Sequence, residues 1–277
     1  MTAALRAGGK ALLQAGIEGG ARDLRLLMAH VLGIEAARMT LHLQDEVPAA
    51  AAAAFEALVV RRMAREPVSH LIGRRAFFGR AFSVTADVLD PRPETEALVL
   101  AALERPFERV LDLGTGSGCI LLTLLCEQAS ARGVGADLSG AALEIFALNR
   151  AALGLEARAG SCLSDWYEGL SQARGPYDLI VSNPPYIALE EMAALAPELG
   201  YEPRMALTDE ADGLSAYRKI CERAVDFLAP GGRLIVEIGP TQGADVAALM
   251  GAAGLEGVRI LPDLDGRERV VLGIRPA

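Results

Sequence analysis

The sequence predicts an α/β fold, a mostly parallel sheet covered by helices on both faces, with a small helical region in front of it. Three observations carry that expectation. Strand-like and helix-like segments alternate from Arg109 to Ile238, the strand-like ones are short apolar runs, and the chain before Ala76 shows only helical spacing.

Taken in order, Leu24, Leu27, Met28, Val31 and Leu32 fall at i, i+3, i+4, i+7 and i+8, one stripe of an amphipathic helix. Pro48 opens a second helix, where Phe55, Leu58, Val59 and Met63 repeat the spacing, Arg61, Arg62 and Arg65 take the other faces, and Pro67 ends the element. Short aromatic and β-branched runs around Gly79 and Arg80 predict a hairpin. Beyond Pro91 and Pro93, strands are expected at 109–112, 134–137, 178–182 and 233–238, and helices at 119–126, 141–151 and 214–228. After a helix near 244–252, segments 258–261 and 269–274 flank Asp265-Gly266 as an antiparallel pair. The expected organisation is a helical domain over 1–75, a β-hairpin linker over 76–90 and an α/β domain over 91–277.

The 277 residues carry 52% hydrophobic side chains, enough for a sizeable core in a chain of two-domain length. A net charge of -9 has the wrong sign for gripping nucleic-acid backbone over a wide surface, so no nucleic-acid substrate is expected. The sign is divided: residues 1–75 hold ten Lys/Arg against seven Asp/Glu, or +3, which leaves -12 on the remainder. Arg61, Arg62, Arg65, Arg74 and Arg75 form a basic cluster, read as a solvated helix face ahead of a dock for an acidic partner. Cys119, Cys126, Cys162 and Cys221 are irregularly spaced, without a C-x-x-C pair or histidines at ligand spacing, so neither a metal site nor a disulfide framework is expected. Arg6, Lys10 and Glu18 interrupt the amino terminus and Glu56 and Arg61 the most apolar stretch, which reads as a cytoplasmic chain with no membrane partner.

The segment 110–118 is an apolar strand running into a turn with Gly114, Thr115, Gly116, Ser117 and Gly118, then a helix. Its G-x-G-x-G spacing differs from the G-x-G-x-x-G of dinucleotide enzymes, and it suits S-adenosylmethionine, which has no phosphate and lies against backbone. Asp137 ends the next strand, where a carboxylate can accept from both hydroxyls of a ribose. Trp166, the one tryptophan, reads two ways, as a cover for an adenine face or as a core residue.

The segment 178–186 is an apolar strand stopped by Asn183-Pro184-Pro185-Tyr186, because two prolines cannot continue a ladder. Ligands in such folds sit beyond the carboxyl ends of the strands, so this turn and the glycine turn should face one crevice. Asn183 and the Pro184 carbonyl can each take one hydrogen of an NH2 group and aim the nitrogen at a methyl donor, with Tyr186 packing over a flat amide or simply closing the turn. A flipped adenine also presents such a group, and the acidic balance argues against it.

With these motifs the sequence resembles the release-factor glutamine methyltransferases of the HemK/PrmC type. The resemblance also rests on Pro67-Val68-Ser69-His70-Leu71-Ile72-Gly73, Phe78-Gly79, Pro91-Arg92-Pro93-Glu94-Thr95-Glu96, Tyr201-Glu202-Pro203, Asp212-Gly213-Leu214 and Glu237-Ile238-Gly239. It implies a seven-stranded, Rossmann-like class I methyltransferase domain behind a helical substrate-holding domain. The implied reaction turns S-adenosylmethionine into S-adenosylhomocysteine while methylating the glutamine of the Gly-Gly-Gln motif in class I peptide chain release factors. It implies cofactor contact by Gly114, Thr115, Gly116, Ser117, Gly118, Asp137, Trp166 and Asn183, and substrate contact by Asn183, Pro184, Pro185 and Tyr186, without a metal. Asp90 stands where the family pattern leads one to expect an apolar residue, which bears on pocket detail.

Overall fold

A computed structural model of the chain describes residues 1–170 and 175–277. It divides into two compact units, Met1–Arg74 with Ala196–Tyr201, and Arg75–Leu195 with Glu202–Ala277.

The first unit is helical, with α1 (Thr2–Gln14), α2 (Ala21–Leu32), α3 (Ala49–Met63) and the short α4 (Val68–Ile72). The expected stripe is its core: Leu24, Leu27 and Met28 of α2 pack with Leu12, Phe55 and Val59. Pro67 does not end α3, which stops at Met63; it stands before α4, where its missing N–H costs nothing. Within the arginine cluster Arg61 and Arg74 are exposed as expected, and Arg62 corrects the expectation of a solvated face. Arg62 is only 8% exposed, its Nε donating to Asp23 at 2.8 Å and its Nη1 to Glu198 at 3.1 Å. Arg65 donates to the Gly16 carbonyl at 2.9 Å, and Arg61 to Glu66 at 2.7 Å. A guanidinium's fan of donors lets one side chain tie several segments together, and sequence spacing cannot reveal that.

A hairpin, β1 (Arg74–Phe77) and β2 (Arg80–Ser83), leads into the second unit at Arg75, and its Phe77 and Phe82 meet edge to face. There follow α5 (Glu96–Leu103), β3 (Arg109–Leu113), α6 (Cys119–Glu127), β4 (Arg132–Asp137), α7 (Gly140–Ala152), β5 (Ala159–Leu163) and β6 (Tyr177–Ser182). Then come α8 (Arg204–Leu207), α9 (Ser215–Phe227), β7 (Leu228–Glu237), α10 (Gly243–Ala252), β8 (Glu256–Pro262) and β9 (Glu268–Ile274). The sheet order is β5-β4-β3-β6-β7-β9-β8, with β9 antiparallel to both neighbours and the remaining pairs parallel. This is the expected Rossmann-like architecture.

Helices on both faces explain the apolar runs. Val110, Leu179, Val181 and Ile235 point into one core, and Leu111, Ile180, Leu234 and Val236 into the other. Among the elements that escaped the periodicity reading are α1, α4, α8 and two of the second unit with a clear cause. β5 consists of Ala-Gly-Ser-Cys-Leu, without a β-branched or aromatic residue, and forms by pairing with β4 at the sheet's edge. α5 is Glu-Ala-Leu-Val-Leu-Ala-Ala-Leu, apolar nearly all round because it is buried, so it has no stripe to detect.

Asp90 is buried, with its carboxylate 3.6 Å from Arg75 and 3.9 Å from Arg92. A charge replaces the expected apolar residue because two guanidinium groups compensate it. No helix among the described residues is long and apolar enough to cross a membrane.

Candidate active site

β3, β4 and β6 end level with one another, since the register pairs Leu113 with both Ala136 and Ser182. The strand order reverses between β3 and β6, the place where an open parallel sheet leaves a crevice. One pocket there is lined by Gly114, Thr115, Gly116, Ser117, Asp137, Trp166, Asn183 and Pro185, together with Leu89, Arg92, Thr95, Leu138, Pro203 and Met205. The two turns singled out from sequence therefore meet. Gly118, Pro184 and Tyr186 lie outside the lining.

Gly114, Gly116 and Gly118 hold φ of +71°, +53° and +81°, a region costly for residues with a Cβ. Gly118 also has no room: a Cβ would sit 2.6 Å from Cδ2 of Phe146, so this glycine serves helix packing beneath the pocket. The turn is clamped from β4. Gly114 and Thr115 N–H donate to the Ala136 carbonyl at 2.8 and 3.0 Å, and Gly116 N–H donates to Oδ2 of Asp137 at 2.8 Å. Ser139 N–H donates to Oδ1 of Asp137 at 2.9 Å, so each carboxylate oxygen keeps a further lone pair. Burial raises the Asp137 carboxyl above its ordinary range, against the opposing pull of these backbone donors.

Below the turn, Asp112 accepts from the Thr115 hydroxyl at 2.7 Å, and burial pushes its carboxyl up to about 7. Asn149 of α7 donates to the carbonyls of Ser117 and Ser83 at 2.9 and 3.0 Å, tying the end of the turn to the hairpin. Trp166 adopts φ +48°, with its carbonyl held by the Ser164 hydroxyl at 2.7 Å, and its indole passes 3.9 Å from where Gly114 would carry a Cβ.

At the other turn, the Ser182 hydroxyl donates to the Leu113 carbonyl at 2.6 Å and locks the end of β6 to β3. Asn183 Nδ2 donates to the Thr95 hydroxyl at 3.3 Å, while Asn183 Oδ1 is sealed from solvent without a partner. A buried acceptor without a partner is costly. Pro184 is buried. Tyr186 packs on the core beside β7, burial pushing its hydroxyl up to about 12, and its carbonyl accepts from Gln242 Nε2 at 2.9 Å. Gly213 fits under the same carbonyl, where a Cβ would meet Tyr186 O at 2.4 Å.

Sequence reasoning assigned no role to Thr95, Glu237, Gln242 or Glu202, although it quoted the segments that hold three of them. Glu202 is buried, bonds Arg92 and accepts from Asp90 N–H at 3.3 Å, which anchors the wall formed by Pro203 and Met205. Their partners lie far away in the chain, so no local pattern marks them.

The lining suits S-adenosylmethionine. It combines an acidic strand end, turn backbone, an indole, apolar side chains from Leu138 and Ile120, and the Asn183 carboxamide.

Residues 3–73 match the family model described as the PrmC N-terminal domain, and residues 86–210 match the methyltransferase small domain. A release factor glutamine methyltransferase of Cereibacter sphaeroides is 55% identical across 99% of this chain and 98% of its own length. One of Rhodospirillum rubrum is 46% identical across 95% of this chain and 81% of its own. A methyltransferase structure from Pyrococcus furiosus, 16% identical, superposes with a TM-score of 0.56 over 80% of this chain and 98% of that one, which shows the shared fold. A glycine turn and an Asn-Pro-Pro-Tyr turn meeting in one pocket, and these two relatives matched over nearly all of this chain, lead to one conclusion: the chain belongs to the release factor glutamine methyltransferase family of S-adenosylmethionine-dependent enzymes.

Proposed function

We propose that this enzyme methylates the side-chain amide nitrogen of the glutamine in the Gly-Gly-Gln motif of class I peptide chain release factors. The observation that carries the reading is the meeting of the two turns in one pocket, with Asp137 and Asn183 both in its lining; Asn183 Oδ1, buried beside it, has no hydrogen-bond partner within the fold. An NH2 group offers the hydrogen it lacks, and the Pro184 carbonyl is the proposed acceptor for the second.

When bound, S-adenosylmethionine supplies an electrophilic methyl group: the N–C bond forms as the C–S bond breaks, the sulfur keeps the electron pair, and an amide hydrogen leaves as a proton. In this reading Asp137 holds the ribose through its remaining lone pairs, residues 114–118 offer backbone, and Trp166 covers the adenine. Amide nitrogen is a poor nucleophile because its lone pair is shared with the carbonyl, so the chain's contribution is alignment. Well-aligned reactants gain roughly 7–11 kcal/mol over free ones. Positive charge growing on the nitrogen strengthens its bonds to Asn183 and Pro184, which favours the transition state over the ground state. Tyr186, anchored through its carbonyl to Gln242, fixes the turn that carries both residues. The helical region over 1–75 is assigned to holding the release factor, the hairpin over 76–90 to linking, and 91–277 to the chemistry, in the cytoplasm where translation terminates.

The test offers labelled S-adenosylmethionine with a release factor, the same factor with its Gly-Gly-Gln glutamine replaced, DNA and RNA. Label is expected on the intact factor alone; equal labelling of both factors overturns the assignment, and labelling of DNA or RNA favours the flipped-base reading. Asn183→Ala should lower kcat by about 100- to 1000-fold, the usual cost of one transition-state hydrogen-bond partner, with cofactor affinity nearly unchanged.

A further inference from the structure

We propose that Gln242 is a positioning residue for methyl transfer: its single carboxamide ties the Asn-Pro-Pro-Tyr turn to two glycine turns and so sets where Asn183 stands in the pocket. This role rests on the reading in which that turn presents the substrate amide.

Two segments that stand out in the sequence, Asp212-Gly213-Leu214 and Glu237-Ile238-Gly239, take no part in the proposed chemistry. Both converge on Gln242, which stands just ahead of α10. Its Oε1 accepts from Gly239 N–H at 3.0 Å, and its Nε2 donates to the Tyr186 carbonyl at 2.9 Å and to the Gly213 carbonyl at 3.1 Å. These partners fix the orientation of the amide. One is a backbone donor and two are backbone acceptors, so a flipped carboxamide would set NH2 against N–H and its oxygen against two carbonyls.

The glycines make so close an approach possible. A Cβ on Gly213 would run into the Tyr186 carbonyl and come 2.9 Å from Nε2, and one on Gly239 would lie 3.0 Å from Oε1 and 3.4 Å from Cδ2 of Tyr186. Gly213 also holds φ +77°. Asp209 stiffens the loop that carries Gly213, its carboxylate accepting from the N–H groups of Ala211, Gly213 and Ser215 at 2.9, 2.9 and 2.8 Å. The chain beyond Tyr186 lies on the same loop. Ile187 N–H donates to the Leu207 carbonyl at 3.0 Å and Leu189 N–H to the Ala211 carbonyl at 2.9 Å.

Anchoring the Tyr186 carbonyl reaches Asn183 because of what lies between them. Pro184 and Pro185 have φ fixed at about −65°, so the stretch has few soft torsions. Its upstream end is pinned by the Ser182 hydroxyl on the Leu113 carbonyl at 2.6 Å, and its downstream end by Gln242. Asn183 and Pro185, which line the pocket, sit between the two pins. With the downstream pin lost, the turn pivots about Ser182 and carries Asn183 off the line of transfer. The residues at 114–118 and Asp137 follow other strands and keep the cofactor's end of the pocket.

The experiment measures kcat, KM for release factor, cofactor affinity and melting temperature for wild type, Gln242→Met, Gln242→Glu, Asn183→Ala and the Gln242→Met/Asn183→Ala double variant. Gln242→Met fills similar space without the hydrogen bonds, and Gln242→Glu keeps an acceptor for Gly239 while removing the donors to Tyr186 and Gly213. Both should lower kcat roughly 10- to 100-fold, since a misplacement of about 1 Å can cost about 100-fold, with cofactor affinity within about twofold of wild type. KM for release factor should change less than kcat. In the double variant the loss from Gln242→Met should shrink, because Gln242 acts through the turn that carries Asn183. A kcat within about twofold of wild type in both single variants, or losses that add in the double variant, overturns the positioning role and leaves the Asn183 reading standing. A fall in cofactor affinity as large as the fall in kcat marks a general loosening of the fold and overturns it as well. Unimpaired turnover in Asn183→Ala sinks the reading on which the role rests. If Gln242→Met does not fold, the isosteric Gln242→Glu decides alone by the same comparison of kcat with cofactor affinity.

Discussion

Asp137→Asn keeps the shape of a side chain that braces the glycine turn and, in the proposed reading, also binds the cofactor ribose. Its two oxygens accept from Gly116 N–H at 2.8 Å and Ser139 N–H at 2.9 Å, which builds the turn, and the residue lines the pocket, where the proposed reading gives it the ribose. Whichever way the new amide turns, its NH2 group confronts one of those backbone donors. A buried donor left unsatisfied costs about 1–3 kcal/mol, so the fold should lose that much. On the ligand side one acceptor disappears and the other loses its charge, where a hydrogen bond to a charged group contributes about 1.5–3 kcal/mol. The combined effect on binding is about 2–4 kcal/mol, a rise of roughly 30- to 1000-fold in the dissociation constant. Titration calorimetry with S-adenosylhomocysteine, beside a thermal melt, reads both quantities. A dissociation constant within about threefold of wild type would refute the two-sided role of Asp137.

Gly118→Ala should lower stability by about 2–4 kcal/mol, combining the left-handed backbone at φ +81° with overpacking against Phe146 and Leu122, whose Cδ atoms lie 2.6 and 2.9 Å from the new Cβ. A melting temperature lowered by less than about 2 °C would show that the helix gives way without cost. Arg62→Ala should destabilise the helical unit by about 1–3 kcal/mol, below the usual cost of breaking a buried pair because Asp23 and Glu198 keep roughly a quarter of their side-chain exposure. Arg62→Lys should lose nearly as much, since one ammonium cannot meet two carboxylates from separate segments; denaturant curves that superpose on wild type would contradict the bracing role.

Much of the architecture was legible because it is written in local chemistry. The stripe Leu24, Leu27, Met28 reads as a helix wherever it lies in a chain, and the runs 110–113 and 178–182 read as strands buried on both faces. Three glycines in alternation, or two prolines after Asn183, stop those strands whatever surrounds them. The rule that ligands sit at the carboxyl ends of such strands then brought Gly114, Asp137 and Asn183 to one crevice without a structure. β5 stayed hidden because four of its five residues are small and none is β-branched or aromatic, so the segment becomes a strand only when β4 lies beside it.

Chain order and local spacing thus determined the fold class and the two turns that line the pocket. What only the tertiary structure decided is how those pieces are held. Asn183 meets Thr95 across 88 residues, Asn149 meets Ser83 across 66, and Arg92 meets Glu202 across 110. Arg62 turned from a surface charge into a brace through Asp23 and Glu198, 39 and 136 residues away. Such pairings leave no periodic trace, because a hydrogen bond depends on where two atoms finish in space, and sequence patterns report only what each segment does with its neighbours.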